Sequence, residues 1–316
     1  MSHIFDGLQR SESERSDIDL SESQVTELLK RAEQRAASKW EASAVPEAAE
    51  LVKNGAPDTN LRSIEEQAFA TTPIASAVLE PVLTREPVDA FSQFRSLEIF
   101  LSPQSRLPCL TDPESPAAEA IRLLSVRLQH LGRDRLLKKA LITSTIPEEG
   151  KSMVAANLAC ALALRTQQKV LLLEGDLRRP SLYQTFGLKR NPGLCQWLAG
   201  NSCLTKSVYH LKNAGIWLLP AGSTPSNALE LLQSGELRTL MDQLAALFDW
   251  IIIDSPPILP LADTSVWMRL ADGILLVTRQ GTTEKPRLLK GLEAVESSKL
   301  IGALVNGSKS AVTSYY

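Results

Sequence analysis

Ser144-Thr145-Ile146-Pro147-Glu148-Glu149-Gly150-Lys151-Ser152 is the stretch on which the reading of this chain turns. It follows a short apolar run, Ala140 to Thr143, and opens a helical one, Ser152 to Thr166. A phosphate-binding loop has the form GxxxxGK[ST] and lies between a buried strand and a helix. Here Thr145 occupies the first glycine position, while the rest keeps the physical logic. Gly150 lets the backbone curl so that successive N–H groups face phosphate oxygens. The helix starting near Lys151 aims its positive dipole end at the same point. Lys151 adds a cation for the β- and γ-oxygens, and Ser152 a hydroxyl for magnesium. The candidate nucleotide-contacting residues are Thr145, Ile146, Pro147, Glu148, Glu149, Gly150, Lys151, Ser152 and Met153. The implied ligand is ATP with Mg2+.

Working outward, short apolar runs alternate with helical segments from Ser115 onward. Helical patterns cover Glu119 to Leu131, Ser152 to Thr166 and Ala228 to Phe248. Strand-like runs cover Ala140 to Thr143, Lys169 to Leu173, Ile216 to Leu219, Trp250 to Ile253, Gly273 to Thr278 and Leu300 to Val305. Continuously apolar strands between helices predict an α/β fold: a doubly wound, mostly parallel sheet covered on both faces. Ligands bind such sheets at the carboxyl ends of the strands, and two further polar motifs fall there. Leu171-Leu172-Leu173-Glu174-Gly175-Asp176-Leu177-Arg178-Arg179-Pro180 places two carboxylates one residue apart, where a metal, or a metal and a nucleophile, would need them. Ile251-Ile252-Ile253-Asp254-Ser255-Pro256-Pro257 places an acid directly after a buried strand, the magnesium-facing Walker B arrangement.

The 316 residues are 44% hydrophobic, 22% charged and 5% aromatic, with a net charge of -2. That composition fits a globular protein and argues against nucleic acid as a partner, which calls for a strong basic excess. Cys109, Cys160, Cys195 and Cys203 have no zinc-ligand spacing and read as free thiols. No apolar stretch reaches membrane-spanning length and Met1 to Asp6 lacks signal-peptide character, so a cytoplasmic location is expected. Residues 1–114 are expected to form an N-terminal helix and flexible linker, and 115–316 the nucleotide-binding domain. Leu20 to Val25 has a capping box and a hydrophobic staple. Val25, Leu28, Leu29, Ala32 and Ala36 continue it at helical spacing. The stretch Ala90 to Ser102 is expected to pair onto the main domain.

From Ser115 to Tyr316 the chain resembles the bacterial tyrosine kinases, P-loop proteins associated with capsule and exopolysaccharide synthesis. The family loop SxxPxEGKS is matched by Ser144 to Ser152. An apolar triplet followed by DxDxR is matched by Leu171 to Arg178, except that Glu174 replaces the first aspartate. An apolar triplet followed by DxPP is matched by Ile251 to Pro257, and Asn227 to Leu232 resembles a further family segment. A terminal tyrosine cluster is matched by Tyr315 and Tyr316. The family's oligomerisation helix reads ExxRxxR; Glu119 and Arg122 match it, and Ser125 stands at its third position.

The resemblance implies tyrosine autophosphorylation in trans within a homo-oligomer. It implies Lys151, Glu174, Asp176, Arg178 and Asp254 as catalytic residues. Ser152, Asp176 and Asp254 would serve magnesium, with Tyr315 and Tyr316 as acceptors. Single-chain members work with a separate transmembrane adaptor, a co-polymerase of polysaccharide export, which would recruit the chain to the inner face of the plasma membrane. Two alternatives are a partitioning ATPase of the MinD or ParA kind and a catalytically weak nucleotide-dependent scaffold. The first carries a lysine early in its loop, in a KGGxGK run, where this chain has Thr145-Ile146-Pro147-Glu148.

Overall fold

The computed structural model describes residues 90–101, 105–166 and 168–308. In chain order it contains β1 (Arg95–Leu97), α1 (Pro108–Thr111), α2 (Pro116–Asp134), β2 (Lys139–Ser144), α3 (Lys151–Thr166) and β3 (Val170–Glu174). The short helices α4 (Leu182–Thr185), α5 (Leu194–Leu198) and α6 (Leu204–Ser207) precede β4 (Tyr209–Leu211) and β5 (Ile216–Leu219). Then come α7 (Ala228–Gln233), α8 (Gly235–Leu247), β6 (Trp250–Asp254), α9 (Asp263–Leu270), β7 (Gly273–Arg279), α10 (Lys285–Ala294) and β8 (Leu300–Asn306).

All eight strands form one sheet in the order β1-β4-β5-β3-β6-β2-β7-β8. Every pairing is parallel except β4 with β5. Side chains of a strand alternate between the two faces, so the apolar runs feed two separate cores. Ala140, Ile142, Leu172, Ile252, Leu275 and Val277 point to one face and pack with α2 and α3. Leu141, Leu171, Leu173, Ile251, Ile253, Ile274 and Leu276 point to the other and pack with α8, α9 and α10. The helix α3 is apolar around much of its circumference, as a helix wedged between layers must be. Ala155, Ala156 and Ala159 are fully buried there and let it lie close to the sheet.

Local chemistry sets the helix ends. Ser115 caps α2 by accepting the Ala118 N–H at 3.3 Å, Pro116 opens the first turn, and Glu119 faces the positive dipole end. The single helix expected over Ala228 to Phe248 is two helices. Ser234 turns extended (φ -62, ψ 146) between α7 and α8, its hydroxyl donating to the Leu231 carbonyl at 2.7 Å. A side-chain bond to a carbonyl three residues back competes with the helix ladder. The expected pairing near Ala90 to Ser102 takes the form of β1 on β4, with Phe91, Phe94, Trp217 and Phe248 stacked edge to face or in parallel beside it. This strand lies ahead of residue 115 yet belongs to the main sheet. The amphipathic stretch Leu20 to Ala36 lies outside the described residues. On α2, Arg122 pairs with Glu119 at 2.7 Å and donates to the Pro113 carbonyl, while Ser125 is fully buried.

Gly175 shows why a glycine separates the two acids after β3. The indole of the fully buried Trp267 donates to its carbonyl at 3.1 Å, and a Cβ at this position would lie 2.8 Å from the ring. A buried tryptophan has no room to retreat, so Gly175→Ala is expected to cost roughly 1–3 kcal/mol by overpacking. Urea unfolding of the purified chain should show a lowered midpoint with an unchanged slope.

Candidate active site

The strand order brings the three motifs together. β2 lies between β6 and β7, and β3 lies on the other side of β6. The loop after β2, the acids after β3 and the acid ending β6 therefore emerge side by side at the carboxyl edge. The loop bends through two left-handed residues, Glu148 (φ 68) and Gly150 (φ 93). Gly150 has a second reason to be glycine, since a Cβ there would lie 2.1 Å from the Asn306 amide. That amide, at the end of β8, donates to the Glu149 carbonyl at 2.9 Å.

Glu149, grouped with the nucleotide contacts on sequence grounds, has its side chain turned inward and fully buried. It accepts the Ile146 N–H at 2.8 Å, the Arg279 N–H at 3.4 Å and the Thr283 hydroxyl. The carboxylate thus braces the loop from beneath. Thr145 is fully buried; Gly291 of α10 leaves it room, since a Cβ there would lie 2.7 Å from its Oγ1. Met153 packs against the first core, and Pro147 and Glu148 are exposed at the rim.

Lys151 is the electrostatic hub. Its Nζ lies 3.2 Å from Asp176 Oδ2, 4.0 Å from Asp254 Oδ1 and 3.3 Å from the Ser152 hydroxyl. Burial works against the cation, but the carboxylates of Asp254 and Asp176 outweigh it and hold the lysine above its ordinary range. Asp254 is 1% exposed, and neither of its carboxylate oxygens has a hydrogen-bond partner. Burial pushes this carboxyl up to about 7 against the pull of Lys151. Asp176 is likewise buried, its other oxygen accepting the Arg179 N–H at 3.0 Å.

These groups fit a nucleotide-borne magnesium ion. A buried carboxylate without a well-formed hydrogen bond and a serine hydroxyl, both beside the Lys151 ammonium, are hard-oxygen donors of the kind magnesium takes. No three His, Cys, Asp or Glu side chains form a metal cluster among the described residues. A cation there would complete its shell with phosphate oxygens and water, as magnesium does.

Two expected catalytic side chains are otherwise engaged. Glu174 accepts three backbone N–H groups, from Ser181, Leu182 and Ala221, at 2.6, 2.7 and 2.9 Å. Burial raises its carboxyl above the usual range while those amides pull it back. Arg178 grips Asp263 through two bonds of 2.7 and 3.1 Å. Sequence reading missed Asp263, Asn306, Thr283 and Gly291; each acts on the loops from a distant segment and carries no local signature. Tyr315 and Tyr316 lie outside the described residues.

No family model matches the chain. It is 37% identical over 215 residues to the tyrosine-protein kinase YwqD of Bacillus subtilis, covering 67% of this chain and 90% of that one. It is 37% identical over 167 residues to the putative tyrosine-protein kinase EpsB of Ralstonia solanacearum; that match covers 53% of this chain but only 22% of the longer relative. The kinase domain of the Escherichia coli tyrosine kinase ETK superposes with a TM-score of 0.62 at 30% identity, covering 66% of this chain and 83% of that domain. With the loop, the paired acids and the strand-end aspartate converging on one lysine, this chain belongs to the bacterial tyrosine kinase family of P-loop transferases.

Proposed function

We propose that this chain is an ATP- and magnesium-dependent tyrosine autokinase that phosphorylates Tyr315 and Tyr316 of a neighbouring copy. It regulates exopolysaccharide or capsule synthesis with a separate transmembrane adaptor, which recruits it to the inner face of the plasma membrane. The observation that carries this reading is the Lys151 ammonium between two buried aspartates, one of them with no hydrogen bond to either oxygen. The loop amides and Lys151 hold the phosphates, and Ser152 and Asp254 hold magnesium. Asp176 receives the proton of the incoming tyrosine as its oxygen bonds to the γ-phosphorus and the bond to ADP breaks. Placement and fixed charge supply most of the acceleration in such transfers. The adaptor reading draws on the family resemblance, and among the described residues no helix is long and apolar enough to cross a membrane.

Incubation with ATP and magnesium should place phosphate on the terminal peptide, read by mass spectrometry beside a phosphate-release assay. Lys151→Met should lower the signal about a hundredfold or more by removing a charge aimed at the transferred group. Mixed with the native chain, the Lys151→Met chain should itself be labelled on Tyr315 or Tyr316. If it stays unlabelled while the native chain is modified, transfer in trans is wrong. Phosphate release with no phosphotyrosine would make the chain a partitioning-type ATPase.

Asp254 yields a second test. Its carboxyl titrates higher in the nucleotide-free fold than in the unfolded chain. The fold therefore loses stability as pH rises from the acid range through about 7. Asp254→Asn removes that cost. The nucleotide-free variant should melt above the native protein at pH 8, by less at pH 5, and should lose magnesium-dependent transfer. Calorimetry at the two pH values checks the sign.

A further inference from the structure

Glu174 sits where the family pattern has an aspartate, among the acids that face the nucleotide loop, yet its carboxylate faces backbone. It ends β3 at 1% exposure. Oε1 accepts the N–H groups of Ser181 and Leu182 at 2.6 and 2.7 Å, and Oε2 accepts that of Ala221 at 2.9 Å. The ion-pair partners of Lys151 are Asp176 and Asp254. The segment 175–180 leaves β3 directly after Glu174 and returns at Ser181, so one carboxylate ties the exit of this loop to its entrance. Through Ala221 it also ties the loop to the end of β5, the neighbouring strand. Within that closed loop lies Asp176, 3.2 Å from Lys151.

We infer that Glu174 is a positioning residue, a three-amide clamp that sets the pose of Asp176, and neither a metal ligand nor a base in the transfer; this rests on the kinase reading above. The extra methylene is what the clamp uses. An aspartate would withdraw the carboxylate by about 1.5 Å, one C–C bond. Bonds of 2.6 to 2.9 Å would then stretch beyond hydrogen-bonding range, leaving buried amides unpaired. Glutamine keeps the length and one carbonyl oxygen for Ser181 and Leu182, and turns an NH2 group toward the Ala221 N–H. The family's own residue is thus the more damaging replacement here.

The two roles rank the same variants in opposite order. A ligand or base requires a carboxylate, so Glu174→Asp would retain activity and Glu174→Gln would lose it. A clamp requires reach, so Glu174→Gln should retain the greater part and Glu174→Asp should not. The experiment measures tyrosine phosphorylation by the full chain, native and both variants, with kcat expressed per ATP-binding chain. Hydrogen exchange is followed at Ser181, Leu182 and Ala221 in parallel. Glu174→Asp should lose about a hundredfold in kcat, the scale of a misplacement near 1 Å. Its KM for ATP should stay near native, because the loop 145–152 is not held by Glu174. Exchange should quicken at all three amides in Glu174→Asp and chiefly at Ala221 in Glu174→Gln. An active Glu174→Asp with a silent Glu174→Gln overturns the inference, as does unchanged exchange at the three amides. If Glu174→Asp does not fold, Glu174→Gln decides: near-native kcat supports the clamp and a dead enzyme refutes it. A native chain that never labels its tyrosines refutes the kinase reading instead, and the exchange data still judge the clamp.

Discussion

A single buried ammonium group holds this site together. Lys151 opens α3 after the loop that follows β2, Asp176 lies in the loop after β3, and Asp254 ends β6. Three carboxylates, Glu174, Asp176 and Asp254, crowd this edge of the sheet with almost no access to water. Buried like charges repel and each pays a large desolvation cost. The lysine offsets part of that cost for two of them. The sheet order, with β6 between β2 and β3, is what allows one cation to reach acids from two neighbouring strands. Removing the lysine would strip the counter-charge from the site as well as its phosphate contact.

The buried acids are satisfied in different ways, and the differences separate support from chemistry. Glu149 accepts two backbone N–H groups and the Thr283 hydroxyl, and Glu174 accepts three backbone N–H groups, each pinning a loop to its surroundings. Asp263 is saturated by the forked guanidinium of Arg178, a geometry suited to a carboxylate. Asp254 has the Lys151 ammonium at 4.0 Å and the Ser152 hydroxyl nearby, with no well-formed hydrogen bond to either oxygen. A fold that gives its other buried acids hydrogen-bond partners and leaves this one without has given up stability at one position, as functional sites commonly do.

Much of this architecture was legible in the sequence because buried parallel strands are continuously apolar and therefore conspicuous. Leu171 to Leu173 and Ile251 to Ile253 mark both the strands and the points where the acids emerge. The short antiparallel β4 was not visible, since Tyr209-His210-Leu211 is too brief to show a period. The break at Ser234 was hidden because a helical pattern continues on both sides of it. Within the site, residue types were readable and their directions were not. Glu149, Glu174 and Arg178 look like ligands in the sequence; each has a partner from a segment that no local pattern connects to it.

The loop's missing glycine illustrates how such a partner resolves an apparent defect. A side chain at the first loop position needs space that a glycine would not, and Thr145 is fully buried. The space is found on α10, where Gly291 lies against it. A Cβ at Gly291 would stand 2.7 Å from Thr145 Oγ1 and 2.9 Å from its methyl carbon, so the helix could not keep its approach with a larger residue. The requirement for a small residue has thus moved from the loop to the helix that packs on it. The loop keeps its bend by other means: Glu149 holds the Ile146 N–H from within, and Asn306 holds the Glu149 carbonyl from β8. A threonine here is therefore compatible with a working phosphate loop, provided that α10 and the ends of β7 and β8 stay in place. Those elements, far from the loop in sequence, belong to the binding site as much as the loop does.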